Sequence, residues 1–367
     1  MTEESTNAQH PVINKLGRNL EAFYGNIIAI RYLSPNNKVF LLKANSSNEL
    51  FIEILDLESD ASIAFLIKEK ISLTGNYLTT NIINHKTSTS SERILWIDRA
   101  IVFFVPETMD YIFMKLVRSY PHHKENNTLN IKIDLEGNTL RKEYISIPEV
   151  NLKNYDCLNS LVVIPDYNFF NTETFLQKDL YPFFDEYLDE EDFSYIRYTE
   201  ERCSSFASST KNLYAIVIFD KDGQSPRGTF CVFEINGDIN PKLIFKSKVD
   251  DWGSYHVFSE DGKKIAYITN LWEKEGIEIN IRTLSEKKFN NEVGFKIQLS
   301  IEQRNIEKIF LTHRDEIILV FPERFEMYNA AYIKRKIHLK RDLKTSYEFA
   351  NNVLLYVHKQ QLKIYKV

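Results

Sequence analysis

Cysteine is scarce in this chain of 367 residues, and so is glycine, with 11 residues. The three cysteines, Cys157, Cys203 and Cys231, are odd in number and widely spaced, and none belongs to a CxxC pair. Disulfide frameworks and structural zinc sites need more cysteines at closer spacing. We therefore expect reduced thiols in a protein of the cytoplasm, with the nucleus as the alternative.

Long apolar segments are also missing. The longest apolar runs, such as residues 100–106, are far shorter than the roughly 20 residues that a membrane-spanning helix needs. Residues 1–9 are polar and partly acidic, which is unlike a secretory signal. We expect no membrane insertion. The net charge of -5 by itself favours neither nucleic acid nor an acidic membrane as a partner.

The linear motifs of common enzymes are absent as well. The sequence has no GxSxG, GxxxxGK[ST], GxGxxG or HExxH pattern and no EF-hand loop, and residues 223–228 are typical of a hairpin loop. His122 and His123 are adjacent, so their side chains would diverge on a strand, and no further ligand stands at a suitable spacing. We predict neither a metal nor a cofactor.

Strand patterns, in contrast, fill the chain. Aromatic residues make up 13% of it, and short apolar segments are bounded by Asn, Asp, Gly, Ser and Pro. Only residues 14–24 and 183–195 could form a few helical turns, and neither segment has clear caps. These patterns predict an all-β protein.

A repeat of 52 residues occurs in the second half. Three phenylalanines at this spacing each precede the start of an apolar strand by seven residues: Phe206 before Leu213, Phe258 before Ile265 and Phe310 before Ile317. A polar turn fills each gap. The strands that follow are apolar on both faces, which is what a sheet packed between two neighbouring sheets requires.

Four looser copies of this strand, at residues 39–42, 101–105, 161–164 and 353–357, bring the number of repeats to seven. Sheets of about four strands that repeat every 40 to 50 residues are typical of β-propellers, in which each sheet covers its neighbours. We predict a single β-propeller domain of about seven four-stranded blades over residues 25–367. The last unit is one strand short, and residues 1–24 are the candidate for the strand that closes the ring.

One segment carries a family resemblance. Residues 255–267, which contain the Asp261-Gly262 turn, together with residues 278–282, resemble the repeat of TolB-type and WD-repeat propellers. Residues 33–40 form a weaker copy. The resemblance implies a propeller fold and no particular ligand. The Gly-His and Trp-Asp signatures of WD repeats do not occur, since Trp96, Trp252 and Trp272 stand at unequal positions in their units.

Two charged segments are candidate partner-binding sites. The first is an acidic run within residues 183–193, whose carboxylates alternate with aromatic residues: Asp185, Glu186, Asp189, Glu190, Glu191 and Asp192. It could dock a basic partner or bind a divalent cation through oxygen ligands, or it could be a solvated insertion.

The second candidate is the basic strip within residues 333–344. Strand alternation places Lys334, Lys336, His338 and Lys340 on one face, and Arg341 follows directly. Such a strip could contact phosphates or an acidic protein, or it could serve only to block edge pairing. Residues 301–367 hold 13 Lys or Arg against 8 Asp or Glu.

Three functions follow from these observations, in order of preference. The first is a non-catalytic scaffold that mediates protein–protein interactions, as a subunit of a larger complex. The second is a propeller enzyme or small-ligand binder that uses the central channel, where groups from several blades converge. The third is a nucleic-acid-associated protein that acts through the basic strip.

Overall fold

The computed structural model describes the greater part of the chain in short stretches. They are residues 26–44, 49–68, 82–83, 90–91, 101–118, 125–148, 156–158, 161–164, 168–179, 203–208, 213–219, 228–236, 240–249, 254–270, 276–284, 295–299, 306–312, 314–329, 334–342, 345–359 and 361–367. Within these stretches the chain is almost entirely β-strand.

The first half contains three four-stranded antiparallel sheets and one small hairpin. The first sheet holds β1 Asn26–Leu33, β2 Lys38–Ala44, β3 Leu50–Asp56 and β4 Ser62–Leu66. The hairpin holds β5 Ile82–Ile83 and β6 Ser90–Ser91. The second sheet holds β7 Ile101–Phe104, β8 Ile112–Arg118, β9 Glu125–Ile133 and β10 Thr139–Pro148. The third sheet holds β11 Asp156–Leu158, β12 Leu161–Ile164, β13 Asn168–Asn171 and β14 Gln177–Asp179.

The second half contains three more four-stranded sheets and one of three strands. The fourth sheet holds β15 Cys203–Ser208, β16 Leu213–Phe219, β17 Gly228–Asn236 and β18 Asn240–Val249. The fifth sheet holds β19 Ser254–Phe258, β20 Lys264–Asn270, β21 Ile277–Thr283 and β22 Phe295–Leu299. The sixth sheet holds β23 Lys308–Leu311, β24 Glu316–Phe321, β25 Arg324–Asn329 and β26 Lys334–Lys340. The seventh sheet holds β27 Tyr347–Ala350, β28 Val353–His358 and β29 Gln361–Lys366.

The sheets follow one another side by side with their first strands together. β1 contacts β7, β11 contacts β15, β15 contacts β19, and β19 contacts β23, while β1 also contacts β27 and β28. Ring contacts connect the second and third sheets, between Phe113 and Phe170, and the sixth and seventh sheets, between Phe310 and Tyr347. The first strands therefore lie on the inside and the last strands on the outer rim, which is the arrangement of a β-propeller.

The second strand of the sixth sheet is buried on both faces. All six residues of β24 are buried. On one face Ile317 and Leu319 pack against the fifth sheet, and on the other Ile318 and Val320 pack against the seventh. Such a strand has no solvent-exposed face, so its side chains are apolar without alternation. The all-β class and the stacked four-stranded sheets predicted from the sequence are confirmed.

The 52-residue repeat corresponds to the hairpin between the first and second strands of a sheet. Phe258 at the end of β19 pairs with Ile265 of β20, and Phe310 of β23 pairs with Ile318 of β24. One of the looser copies is assigned wrongly from the sequence. The strand at residues 101–105 is the first strand of its sheet, and the equivalent of the others is β8. Phe103 and Val105 of this segment are buried because they pack against the first sheet.

The turns after three first strands share one design. A Ser or Thr carbonyl accepts a hydrogen bond from the residue three positions later, which has a positive φ: Ser34 and Asn37, Ser259 and Gly262, Thr312 and Asp315. In the Asp-Gly turn, Ser259 Oγ also donates to Asp261 at 2.6 Å. Glycine or a short polar residue tolerates the left-handed backbone at this place, which explains the polar turns in the sequence.

Several expectations concern other parts of the chain. Residues 1–24 and 183–195 lie outside the described residues, so the closing strand and the short helices stay predictions. The side chains of Cys157 and Cys203 also lie outside the described part of the chain. Cys231 is buried. Among the described residues, no helix is long and apolar enough to cross a membrane.

Candidate functional site

The outer rim of the second half is strongly basic. The last strands of the fourth to seventh sheets, β18, β22, β26 and β29, contain ten Lys or Arg residues and no Asp or Glu: three in β18, one in β22, four in β26 and two in β29. In the first half, β4 has no charged residue, and β10 and β14 contain both signs. We call β18, β22, β26 and β29 the basic rim.

The predicted basic strip is the outermost strand of the sixth sheet. Lys334, Lys336 and Lys340 all lie on β26, which pairs with β25. Ile337 and Leu339 pack towards the seventh sheet, while Lys340 is exposed. The predicted alternation of apolar and basic side chains therefore holds over residues 337–340, at the end of the strand. The pairing register shifts opposite Met327 and Tyr328, so the alternation is interrupted beside Lys336.

Arg341, the fourth basic residue predicted for this site, is a framework residue. Its side chain is only 1% exposed. Its guanidinium donates to Glu307 at 2.6 Å and to the carbonyl of Pro322 at 3.0 Å, and it lies 4.7 Å from the ring centre of Tyr347. These contacts hold the connection between the sixth and seventh sheets. The candidate site consequently excludes Arg341, and Lys340 is its exposed lysine among the side chains that the structure describes.

The acidic candidate lies outside the described residues. It comprises Asp185, Glu186, Asp189, Glu190, Glu191 and Asp192. The proposal that this run docks a basic partner therefore rests on the sequence alone. No group of three or more His, Cys, Asp or Glu side chains suited to a metal ion occurs in the stretches that the structure describes.

The edge of the basic rim is completed by β29. This strand is the last of the three-stranded seventh sheet and pairs with β28 from Gln361 to Lys366. Lys359 and Lys366 are exposed at the two ends of β29. Leu362 and Ile364 pack towards the first sheet. The strand therefore has covered side chains, exposed charges at its ends, and an outer edge that faces away from β28.

An ion pair joins two of the inner strands, β1 and β27. Arg31 of β1 donates to Glu348 of β27 at 2.8 Å, and the same carboxylate accepts the backbone N–H of Tyr32 at 2.6 Å. Burial raises the pKa of Glu348, while the positive charge of Arg31 opposes that shift. The positive charge of Lys308 on β23 also lowers the pKa of this carboxyl. These contacts join the sixth, seventh and first sheets, so their evident role is to connect sheets.

Two buried basic groups were not predicted from the sequence. Lys115 on β8 is 3% exposed, lies 5.0 Å from the ring centre of Phe170, and has its pKa lowered by burial to about 8. Asn130 is its cross-strand partner, and the amide of Asn130 has no hydrogen-bond partner among the described residues. The available signal was Lys115 itself, which interrupts the apolar residues 111–117.

The second such group is His256 on β19. Its ring stacks on Tyr267 at 5.5 Å, and burial lowers its pKa to about 3. The guanidinium of Arg282 lies over the ring of Tyr267, 5.5 Å from its centre. A histidine with so low a pKa is neutral throughout the physiological range, so it cannot exchange protons there. Its role is to fill the contact between the fourth and fifth sheets.

Comparisons with known proteins return solved structures of low sequence identity. No protein-family model matches the chain, and no curated protein does. Among solved structures, the Dos1 propeller is similar with 10% identity and a TM-score of 0.47, covering 93% of this chain and 92% of that one. The β-propeller domain of the Trilobed protease from Pyrococcus furiosus is similar with 11% identity and a TM-score of 0.43, and the match covers 93% of this chain and 94% of that one. Hydrazine synthase from Kuenenia stuttgartiensis is similar with 6% identity and a TM-score of 0.44, and the match covers 96% of this chain and 98% of that one. At such low identities the likeness concerns the fold alone; the propeller arrangement of this chain is given by its own sheets, whose first strands lie together on the inside.

Proposed function

We propose that this protein is a non-catalytic scaffold that binds other proteins through its outer rim, as a subunit of a larger complex. The observation that carries the proposal is the basic rim, with ten cationic residues and no acidic one over four neighbouring sheets. Extended surfaces of one charge sign favour encounter with partners of the opposite sign. The proposed partner therefore presents an acidic surface.

The location of the charges supports binding at the rim. The last strand of a sheet has one backbone edge without a ladder partner within the sheet, so it can be contacted from the side. Lys340 is exposed there, whereas Ile337 and Leu339 anchor the same strand in the core. Because Ile337 and Leu339 anchor the strand, its backbone is already ordered at Lys340 before a partner binds.

The test compares two triple charge reversals. In one variant Lys334, Lys336 and Lys340 become Glu, and in the control Lys68, Lys142 and Lys263, which are exposed outside the basic rim, become Glu. Partners are identified by cross-linking and mass spectrometry in the native cell. We expect the first variant to lose partners that the control retains. An unchanged partner list in the first variant would reject this face.

Nucleic acid is the competing polyanion for the same surface. A protein that neutralises several phosphates loses affinity steeply as salt rises, roughly in proportion to the number of contacts. Within β26, the most basic strand of the rim, the lysines are not interleaved with Phe, Tyr or Trp residues that could form a base-stacking platform. We expect no salt-dependent affinity for single-stranded or duplex DNA or RNA in electrophoretic mobility shifts, and such an affinity would replace the scaffold proposal.

Two finer assignments belong to the same proposal. We propose that the Asp-Gly repeat unit around Asp261 reflects kinship with TolB-type and WD-repeat propellers, because the Ser259–Asp261–Gly262 turn is formed as that repeat requires. We also propose that the protein acts in the cytoplasm, with the nucleus as the alternative, and the cysteine pattern of the sequence supports this.

A further inference from the structure

The seventh sheet differs from the other six by one strand. Each of the first six has four strands, and the seventh has the three strands β27, β28 and β29. Over the stretches that the structure describes, no strand pairs with the outer edge of β29. The neighbouring sixth sheet shows what stands at the equivalent place. There β26 contributes Ile337 and Leu339 to the core and exposes His338 and Lys340.

The backbone of β29 is set to receive a further strand. The N–H of Val367 donates to Asn352 at 2.8 Å, towards β28, and the register between β28 and β29 is unbroken. Because backbone groups alternate in direction along an antiparallel strand, Leu362, Ile364 and Lys366 direct their N–H and C=O groups outwards. Such a row is a template for strand addition.

Both faces of the seventh sheet are already covered. Leu362 and Ile364 pack towards the first sheet, and Tyr365 packs towards the sixth. A fourth strand would therefore lie between the outer parts of two neighbouring sheets, as β26 does. Its inward side chains would be apolar, and the outward ones would meet the charges at the rim.

The charged residues of β28, β29 and the turn between them are all basic. Residues 349–367 contain Lys359, Lys363 and Lys366 and no Asp or Glu. The adjacent outer strand β26 adds four more Lys or Arg. A complementary strand would alternate apolar and acidic side chains. Residues 1–24 of this chain hold three Glu against Lys15 and Arg18, so they fit this requirement poorly.

We infer that the outer edge of β29 binds, as the fourth strand of the seventh sheet, an extended partner segment that alternates apolar and acidic residues. This inference rests on the proposed scaffold function and specifies the chemistry and the binding mode of the partner. Affinity comes from backbone hydrogen bonds to Leu362, Ile364 and Lys366, and selectivity comes from the lysines of β26 and β29.

The test uses a fluorescein-labelled peptide of six alternating Val-Glu pairs and the full chain, with binding followed by fluorescence anisotropy. Lys366→Pro removes an outward N–H without breaking the ladder to β28, and the preceding residue is already extended, as proline requires. Lys366→Thr loses the same charge but keeps the N–H. We expect binding to the native chain and at least about tenfold weaker binding to the Pro variant than to the Thr variant.

Each alternative outcome is decisive. Equal weakening by both substitutions would show that the contact is purely electrostatic, which rejects strand addition but leaves the scaffold proposal intact. Binding only to a variant that lacks residues 1–24 would show that the chain's own N-terminal segment occupies the edge. Equal binding of a Val-Lys peptide would reject the acidic partner. Absence of binding to both the full and the shortened chain would overturn the inference.

Discussion

The carboxylate of Glu348 in the last sheet accepts a hydrogen bond from Arg31 in the first sheet at 2.8 Å. Its second oxygen accepts the backbone N–H of Tyr32 at 2.6 Å, and Ser346 Oγ accepts the N–H of Ile30 at 3.1 Å. The two N–H groups belong to the inner edge of β1, away from β2. Side chains of the seventh sheet thus satisfy an edge that the first sheet leaves open.

Glu348→Ala should lower the free energy of unfolding by about 2 to 4 kcal/mol, because it leaves a guanidinium and a backbone donor without their acceptor. Glu348→Gln should cost about half as much, since an amide oxygen still accepts the N–H of Tyr32. Urea denaturation measures both. Glu323→Ala, at an exposed acid, is the control and should change the value by less than about 0.5 kcal/mol. Equal effects of all three substitutions would contradict this role of Glu348.

Arg341 and Lys340 are neighbours in sequence with opposite roles. Arg341→Ala should destabilise the protein by about 3 kcal/mol, because Glu307 and the carbonyl of Pro322 lose a buried partner. Lys340→Ala should stay within about 0.5 kcal/mol, because this side chain is exposed. Thermal unfolding compares the two. If Arg341→Ala left the stability of the protein unchanged, Arg341 would not be a framework residue and would again be a candidate for the binding face.

Local patterns in the sequence were sufficient for the repeating hairpins. The turn at Ser259 forms from residues within six positions of one another, so its spacing is visible in the chain. Burial of Arg341 depends instead on Glu307 and Tyr347, which are brought to it by the packing of two sheets. Alternation along one strand predicts which face a residue occupies, but it does not predict what the next sheet places against that face.

The same limit explains the strand at residues 101–105. Its apolar residues match those of a second strand, and its true position as a first strand follows only from pairing with β8 and contact with β1. An innermost strand is as deeply buried here as a second strand, because Phe103 and Phe104 are both covered. Burial alone therefore does not distinguish the two places in a sheet.

Lys115 should make the stability of the fold depend on alkaline pH. Burial lowers its pKa from 10.5 to about 8, so in the folded protein the charged form is disfavoured. Below pH 8 Lys115 is charged in both states, and the penalty of burying that charge, about 3 kcal/mol, is fully present. Between pH 8 and 10.5 the unfolded chain binds the additional proton, so the stability contribution of this residue rises with pH.

Lys115→Met should therefore stabilise the protein at pH 7 by up to about 3 kcal/mol, and its advantage over the native chain should shrink as pH rises from 8 to 10.5. The difference between the two unfolding free energies at each pH isolates Lys115 from the tyrosines that titrate in the same range. Lys115→Arg keeps a charge that does not titrate below pH 12, so it should show no gain at pH 7. A constant Met advantage at every pH would mean that the buried ammonium is not desolvated, and that the contact with Phe170 compensates for its burial.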